Sequence, residues 1–240
     1  MKGERERMAK EHLLLPDEQV MAYAELTQDL LFHKIPPSRA AFYVRRSLER
    51  GAELAAAARK EGKDIRELCR AAGISVTIAD GESTFGKVRF RAEIEFSDKE
   101  RAITVYRSSL RELEQACQRY LPEAALSFND MVNIHLAHEY YHYLEYSGHG
   151  FTNELLPPVT TLSFGPLRRS ATIVRCSEIA AHAFSKGFTG VDWLPNLFDY
   201  FYMRESGQLT EDEYAALERS WRSGWESALA AAETAELAKQ

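Results

Sequence analysis

Residues 134–146 read Ile-His-Leu-Ala-His-Glu-Tyr-Tyr-His-Tyr-Leu-Glu-Tyr, and within them His138-Glu139-Tyr140-Tyr141-His142 has the form H-E-x-x-H. On a helix, side chains four residues apart project from one face. His138 and His142 can therefore reach a single metal ion. Glu139 follows the first histidine directly, beside an open coordination position, where a general base is needed. Neutral imidazoles suit Zn²⁺, and a hydrolytic zinc site keeps three protein ligands and a water. Apolar Ile134, Leu136 and Ala137 predict a helix that is at least half buried. Two buried histidines and a glutamate without a shared task would be costly there. The pentad predicts a zinc-dependent hydrolase, above all a peptidase, with His138 and His142 as metal ligands and Glu139 as the catalytic base.

The third ligand decides the type of site. A metzincin continues with x-x-G-x-x-H after the second histidine. Here those positions hold Glu145 and Gly148, and His149 falls one residue late. That pattern is rejected, although His149 stays a possible approach to the metal. Glu178, on the next predicted helix, is the better candidate and completes a His₂Glu site of the thermolysin type. His182 shares its helix face. It either polarises a substrate carbonyl, stabilises an oxyanion or orients a ligand, or is simply packed. Glu145 is expected to be solvated rather than the partner of His142. His135, Tyr140, Tyr141 and Tyr143 read as packing or pocket-wall residues, and Cys176 as a small buried one.

Around this centre the apolar period predicts a mainly helical α+β chain. Helices are expected over 17–34, from an N-cap at Ser38 to about Glu61, and from Asp64 over Ile65–Ala72 to Gly73. Alternation then predicts strands at 74–78, 88–96 and 102–106, with turns at Asp80-Gly81 and Ser97–Glu100. They form a small three-stranded sheet, antiparallel or mixed. Ser109-x-x-Glu112 reads as a capping box for a helix to about Tyr120. The pentad helix spans about Asn129–Tyr146, and a long irregular connection reaches about residue 170. Helices resume over 172–186 and twice more in the C-terminal region, the last capped by Thr210-x-x-Glu213.

The chain has 240 residues, a net charge of −6 and a hydrophobic fraction of 45%, which argues for a globular protein and against general nucleic-acid binding. Cys69, Cys117 and Cys176 are too few and too scattered for a disulfide framework. Leu13-Leu14-Leu15 is too short for a signal-peptide core, and no stretch has the length of a membrane span. The expectation is a cytoplasmic protein without a membrane partner.

The stretch from about 64 to 190 resembles the ImmA/IrrE family of metallopeptidase-like proteins. The resemblance is carried by a short helix, Gly73-Ile74-Ser75-Val76 leading into a strand, a small sheet, Leu136-Ala137-His138-Glu139-Tyr140-Tyr141-His142, and Glu178-Ile179-Ala180-Ala181-His182-Ala183-Phe184-Ser185. Family members typically read A-H-E-L-G-H and E-x-x-A-N-x-F-A in the last two places. Tyr141 stands where the family has glycine, His182 where it has asparagine, and Lys186-Gly187-Phe188-Thr189 where it has L-L-M-P. The resemblance implies a divergent zincin-like domain over 64–190, with a helical segment at 1–63 before it and C-terminal helices at 191–240 packed on it. It implies zinc held by His138, His142 and Glu178, and a peptide or protein substrate, specifically a repressor-type regulator. By analogy, the strand Ala102–Tyr106 would pair with an extended substrate. The alternative is a non-catalytic or regulatory protein of a phage, mobile-element or stress circuit, acting by protein binding.

Overall fold

The structure, a computed structural model, describes residues 15–80, 84–85, 88–89, 91–96, 101–165 and 167–238. Helix α1 (Glu18–Thr27) starts where Asp17 accepts the Val20 amide at 2.9 Å. It stops well before residue 34. The Asp29 carboxylate turns back to accept the Leu31 amide at 2.8 Å, and a 3₁₀ turn over Phe32–Lys34 follows. Helix α2 (Pro37–Arg59) begins at a proline and has no side-chain cap, so Ser38 is not its N-cap. Proline at the first position has no amide to satisfy and a preset φ. Helix α3 (Ile65–Ala71) carries the expected cap, a reciprocal Asp64–Glu67 box.

The sheet is mixed. Strands β1 (Ser75–Ala79), β4 (Ala92–Phe96) and β5 (Arg101–Tyr106) lie in the order β1-β5-β4. β5 runs parallel to β1, with Val76 opposite Ile103, and antiparallel to β4, with Ile94 opposite Ile103. The strand expected to pair with substrate is therefore the central one, with both edges occupied; β4 is the edge next to the site helix. Strands β2 (Thr84–Phe85) and β3 (Val88–Arg89) pair separately. The continuous strand expected over 88–96 is broken at Arg91, whose guanidinium is drawn to Asp199 at 2.6 Å and to the Ser109 carbonyl at 3.1 Å. Phe90, Gly81 and residues 97–100, on which other parts of the strand and turn expectations fall, lie outside the described residues.

Helix α4 (Arg107–Tyr120) starts before Ser109 and has no side-chain cap. The Ser109 hydroxyl is buried and accepts from Arg91 at 3.2 Å, so it does not act as the predicted cap. Helix α5 (Phe128–Leu144) carries the pentad and continues into a π-helical turn over Glu145–His149. The segment expected to be irregular holds a short helix α6 (Thr152–Leu155) and a hairpin of β6 (Val159–Phe164) and β7 (Leu167–Ala171). Helices α7 (Arg175–Thr189), α8 (Asn196–Glu205) and α9 (Glu211–Leu237) complete the chain, and the Thr210–Glu213 box caps α9 as expected.

The result is a mainly helical α+β architecture with a small mixed sheet. A buried core runs from Val20 on α1 to Ala228 on α9. At its centre α2 and α7 nearly touch: a Cβ on Gly51 would lie 2.2 Å from the Ala180 carbonyl oxygen. Helix α7 is tied to α5 by the Ser185 hydroxyl, which donates to the Ile134 carbonyl at 2.6 Å. The three cysteines are buried and unpaired, and burial pushes each thiol up to about 12. Among the described residues, no helix is long and apolar enough to cross a membrane.

Candidate metal centre

The pentad helix has a strong start. The Ser127 hydroxyl accepts the Asp130 amide at 3.3 Å while the Asp130 carboxylate accepts the Ser127 amide at 2.8 Å, a reciprocal capping box. From there α5 buries Ile134, Leu136, Ala137 and Tyr141 in the core, turns His138 and Glu139 to a cleft and sets His142 beside His138. Tyr141, the residue where the resembling family has glycine, is fully buried. Helix α7 crosses this face and presents Glu178.

His138, His142 and Glu178 converge. The Nε2 atoms of the two histidines are 3.3 Å apart. Oε2 of Glu178 lies 3.4 Å from Nε2 of His138, and Oε1 lies 3.8 Å from Nε2 of His142. The candidate ligand atoms all lie within 4.8 Å of one another. A tetrahedral zinc with ligands at ~2.0–2.1 Å requires donors separated by about 3.3 Å. The donor set and its spacing therefore fit a zinc-type ion. Two imidazole nitrogens facing each other at this distance also need a shared cation or proton between them. Burial by itself would lower the His138 pKa, but the Glu178 carboxylate outweighs it and holds the imidazole up to about 8. Burial likewise opposes the Glu178 charge, yet the His138 hydrogen bond and the neighbouring imidazoles keep that carboxyl well below the usual range. A metal ion would take over the role of that shared proton.

Glu145 is not solvated as expected. It is 3% exposed and accepts from Nδ1 of His142 at 3.2 Å, from the Thr152 amide at 2.7 Å and from the Ser177 hydroxyl at 2.9 Å. Burial raises its pKa, but these donors more than offset that and the carboxyl sits below its ordinary value. With Nδ1 donating to Glu145, Nε2 of His142 would be left as the lone pair a metal ion could take. The spacing of three residues after His142 was the available signal. What decides it is the π turn, with Gly148 at φ 115°, which folds the chain back so that Thr152 reaches Glu145.

The remaining histidines separate by position. His149 is exposed, and among the described residues it does not join the ligand group; its carbonyl accepts from Arg50 at 2.7 Å. His135 lines the cleft with Nδ1 2.8 Å from the Met131 carbonyl oxygen, and burial pushes its pKa down to about 4. The His182 ring centroid is 4.6 Å from that of His138. Its Nδ1 is buried without a partner among the described residues, and burial, then the His138 charge, hold it neutral. Glu139 is half-buried on the cleft wall. Burial raises its pKa further than the two pentad histidines lower it.

The cleft encloses about 510 Å³. Its far wall contains residues that no local pattern singles out. Glu25 on α1 is 5% exposed and pairs with Arg175 at 2.7 Å. Asn196 on α8 donates to the Met21 carbonyl at 3.2 Å and to Glu25 at 3.4 Å. Asp29 accepts the Arg175 amide at 3.0 Å, in place of an N-cap that Val174 cannot provide. The chain matches no protein-family model, no curated protein and no solved structure.

Proposed function

We propose that the protein is a zinc metallopeptidase, a divergent zincin-like relative of the ImmA/IrrE proteins, that hydrolyses a peptide bond in a specific protein such as a repressor-type regulator. The observation that carries this reading is the convergence of His138, His142 and Glu178 beside Glu139. His138, His142 and Glu178 would hold the ion. When bound, zinc supplies Lewis-acid polarisation of a carbonyl and acidifies water towards pKa ~7.

The chain's own groups do the rest. Glu139 takes the proton of the attacking water at its carboxylate oxygen and passes it to the leaving amine. Burial raises its pKa above the ordinary carboxylate value, which makes it a stronger proton acceptor than a solvated glutamate. Neutral His182, on the cleft wall beside His138, would donate to the carbonyl oxygen as negative charge develops there. Glu145 keeps the His142 ring from rotating, and the cleft wall excludes bulk water from one side of the reacting carbonyl.

The test is metal content by mass spectrometry together with peptide turnover. Wild type is expected to carry near-stoichiometric zinc, and Glu178→Ala to lose most of it. Glu139→Gln should retain zinc and lose turnover by about 10³-fold. Wild-type turnover in Glu139→Gln would remove the general-base role, and absence of bound metal after zinc addition would remove the hydrolase.

A further inference from the structure

Two guanidinium groups line the cleft, and they are used differently. Arg91 is consumed by the fold: Nε donates to Asp199 at 2.6 Å, Nη1 to the Ser109 carbonyl at 3.1 Å, and the group lies 4.5 Å above the Tyr202 ring. Its side chain is 12% exposed. Arg175 stands one helical turn before Glu178, on the same face of α7. Its amide is pinned by Asp29 and its Nη1 by Glu25. Nε and Nη2 meet no partner among the described residues, and the side chain is 37% exposed.

This is a half-used fork. Glu25 is nearly fully buried and is itself gripped by Asn196, so the nitrogen it holds does not wander. Holding one nitrogen aims the rest of a planar, permanently charged group. The free nitrogens suit a second carboxylate through charge-assisted hydrogen bonds, with the ordering cost already met.

We propose that Arg175 is a carboxylate-recognition subsite of the cleft, selecting peptides with a negative charge close to the bond presented to Glu139. The proposal rests on the metallopeptidase reading. An acidic side chain and a free C-terminal carboxylate carry the same chemistry, and the experiment separates them.

The experiment is calorimetric titration of the zinc-loaded full chain with three peptide hydroxamates. One has Asp next to the hydroxamate and an amidated C-terminus. The second replaces that Asp by Asn. The third keeps the Asn and has a free C-terminal carboxylate. Wild type should bind one of the two charged probes about 10-fold more tightly than the neutral one. A preference for the Asp probe identifies a side chain as the source, and a preference for the third probe identifies a chain terminus. Arg175→Gln, titrated with zinc in excess so that every chain is loaded, should abolish the preference. Arg175→Lys should keep only part of it, because it retains the charge without the fork; it also serves as the test should Arg175→Gln fail to fold. Equal binding of all probes by wild type, or a preference that survives in Arg175→Gln, overturns the proposal while leaving the zinc site standing. Probes that bind no better with zinc than after chelation overturn the metallopeptidase reading and the subsite with it.

Discussion

The two helices that build the candidate metal centre are held in place by different means. Helix α5 carries its own instructions: the Ser127–Asp130 box starts it, and its apolar residues seat it. Helix α7 is placed from outside. Asp29, in the turn after α1, caps it, Glu25 of α1 binds its first side chain, Gly51 of α2 lets it approach, and Glu145 after α5 accepts from its Ser177. Two candidate ligands thus stand on a locally encoded element, and the third on one whose position is set by residues far along the chain. A motif can announce half of a metal site while the other half is a property of tertiary packing.

The contrast can be broken most severely at Gly51. A methyl group there would meet the Ala180 carbonyl oxygen at 2.2 Å and the Phe184 amide nitrogen at 2.8 Å. These are backbone atoms with no rotamer to yield. Gly51→Ala is expected to destabilise the fold by about 3 kcal/mol, more than offsetting its gain in helix propensity. It should also weaken zinc binding by shifting Glu178. Urea denaturation measures the first effect and competitive zinc titration the second. A change in stability near zero would mean that α2 and α7 are not in close contact.

Next in size is Glu145. Glu145→Ala removes the acceptor of His142 Nδ1 and strands the Thr152 amide, while the Ser177 hydroxyl keeps Asn153 as its partner. Zinc affinity should fall by roughly 10–100-fold. Glu145→Gln, which keeps an acceptor, should recover part of it. Unaltered affinity in both variants would show that the contact does nothing for the metal.

The smallest and most discriminating pair is Ser127→Ala against Asp29→Ala. Each removes a helix-capping acceptor and should cost about 1 kcal/mol in thermal unfolding. Only Asp29→Ala is expected to weaken zinc binding, by a few-fold, because it acts on the turn just before Glu178. Equal effects on zinc would erase the distinction between the two helices.

The same division explains what could be read in the sequence. The pentad was legible because its spacing is a property of one helix, and Glu178 because it stands on the next helix along. The Asp64 and Thr210 boxes were legible for the same local reason. Ser109-x-x-Glu112 looked alike but is no cap, since Arg91 claims the Ser109 hydroxyl from another part of the fold. The hairpin of β6 and β7 was missed because Leu167–Ala171 is exposed over nearly its whole length and shows no alternation to detect. Glu145 was misjudged because its acceptor role depends on Thr152 and Ser177 arriving from other elements. Central placement of β5 was hidden because strand order is not a local quantity.

Asp29 and the Arg175 amide it accepts are 146 residues apart. At a synthesis rate of roughly 5–20 residues per second, Asp29 waits about 7–30 s for its partner to be made. The pentad helix is complete only at Leu144, 31 residues before Arg175, so its two imidazoles precede the third ligand's helix by about 2–6 s at the same rate. In the order of synthesis the long wait therefore belongs to Asp29, and the candidate metal site closes only once the start of α7 has come back to a residue made near the beginning of the chain.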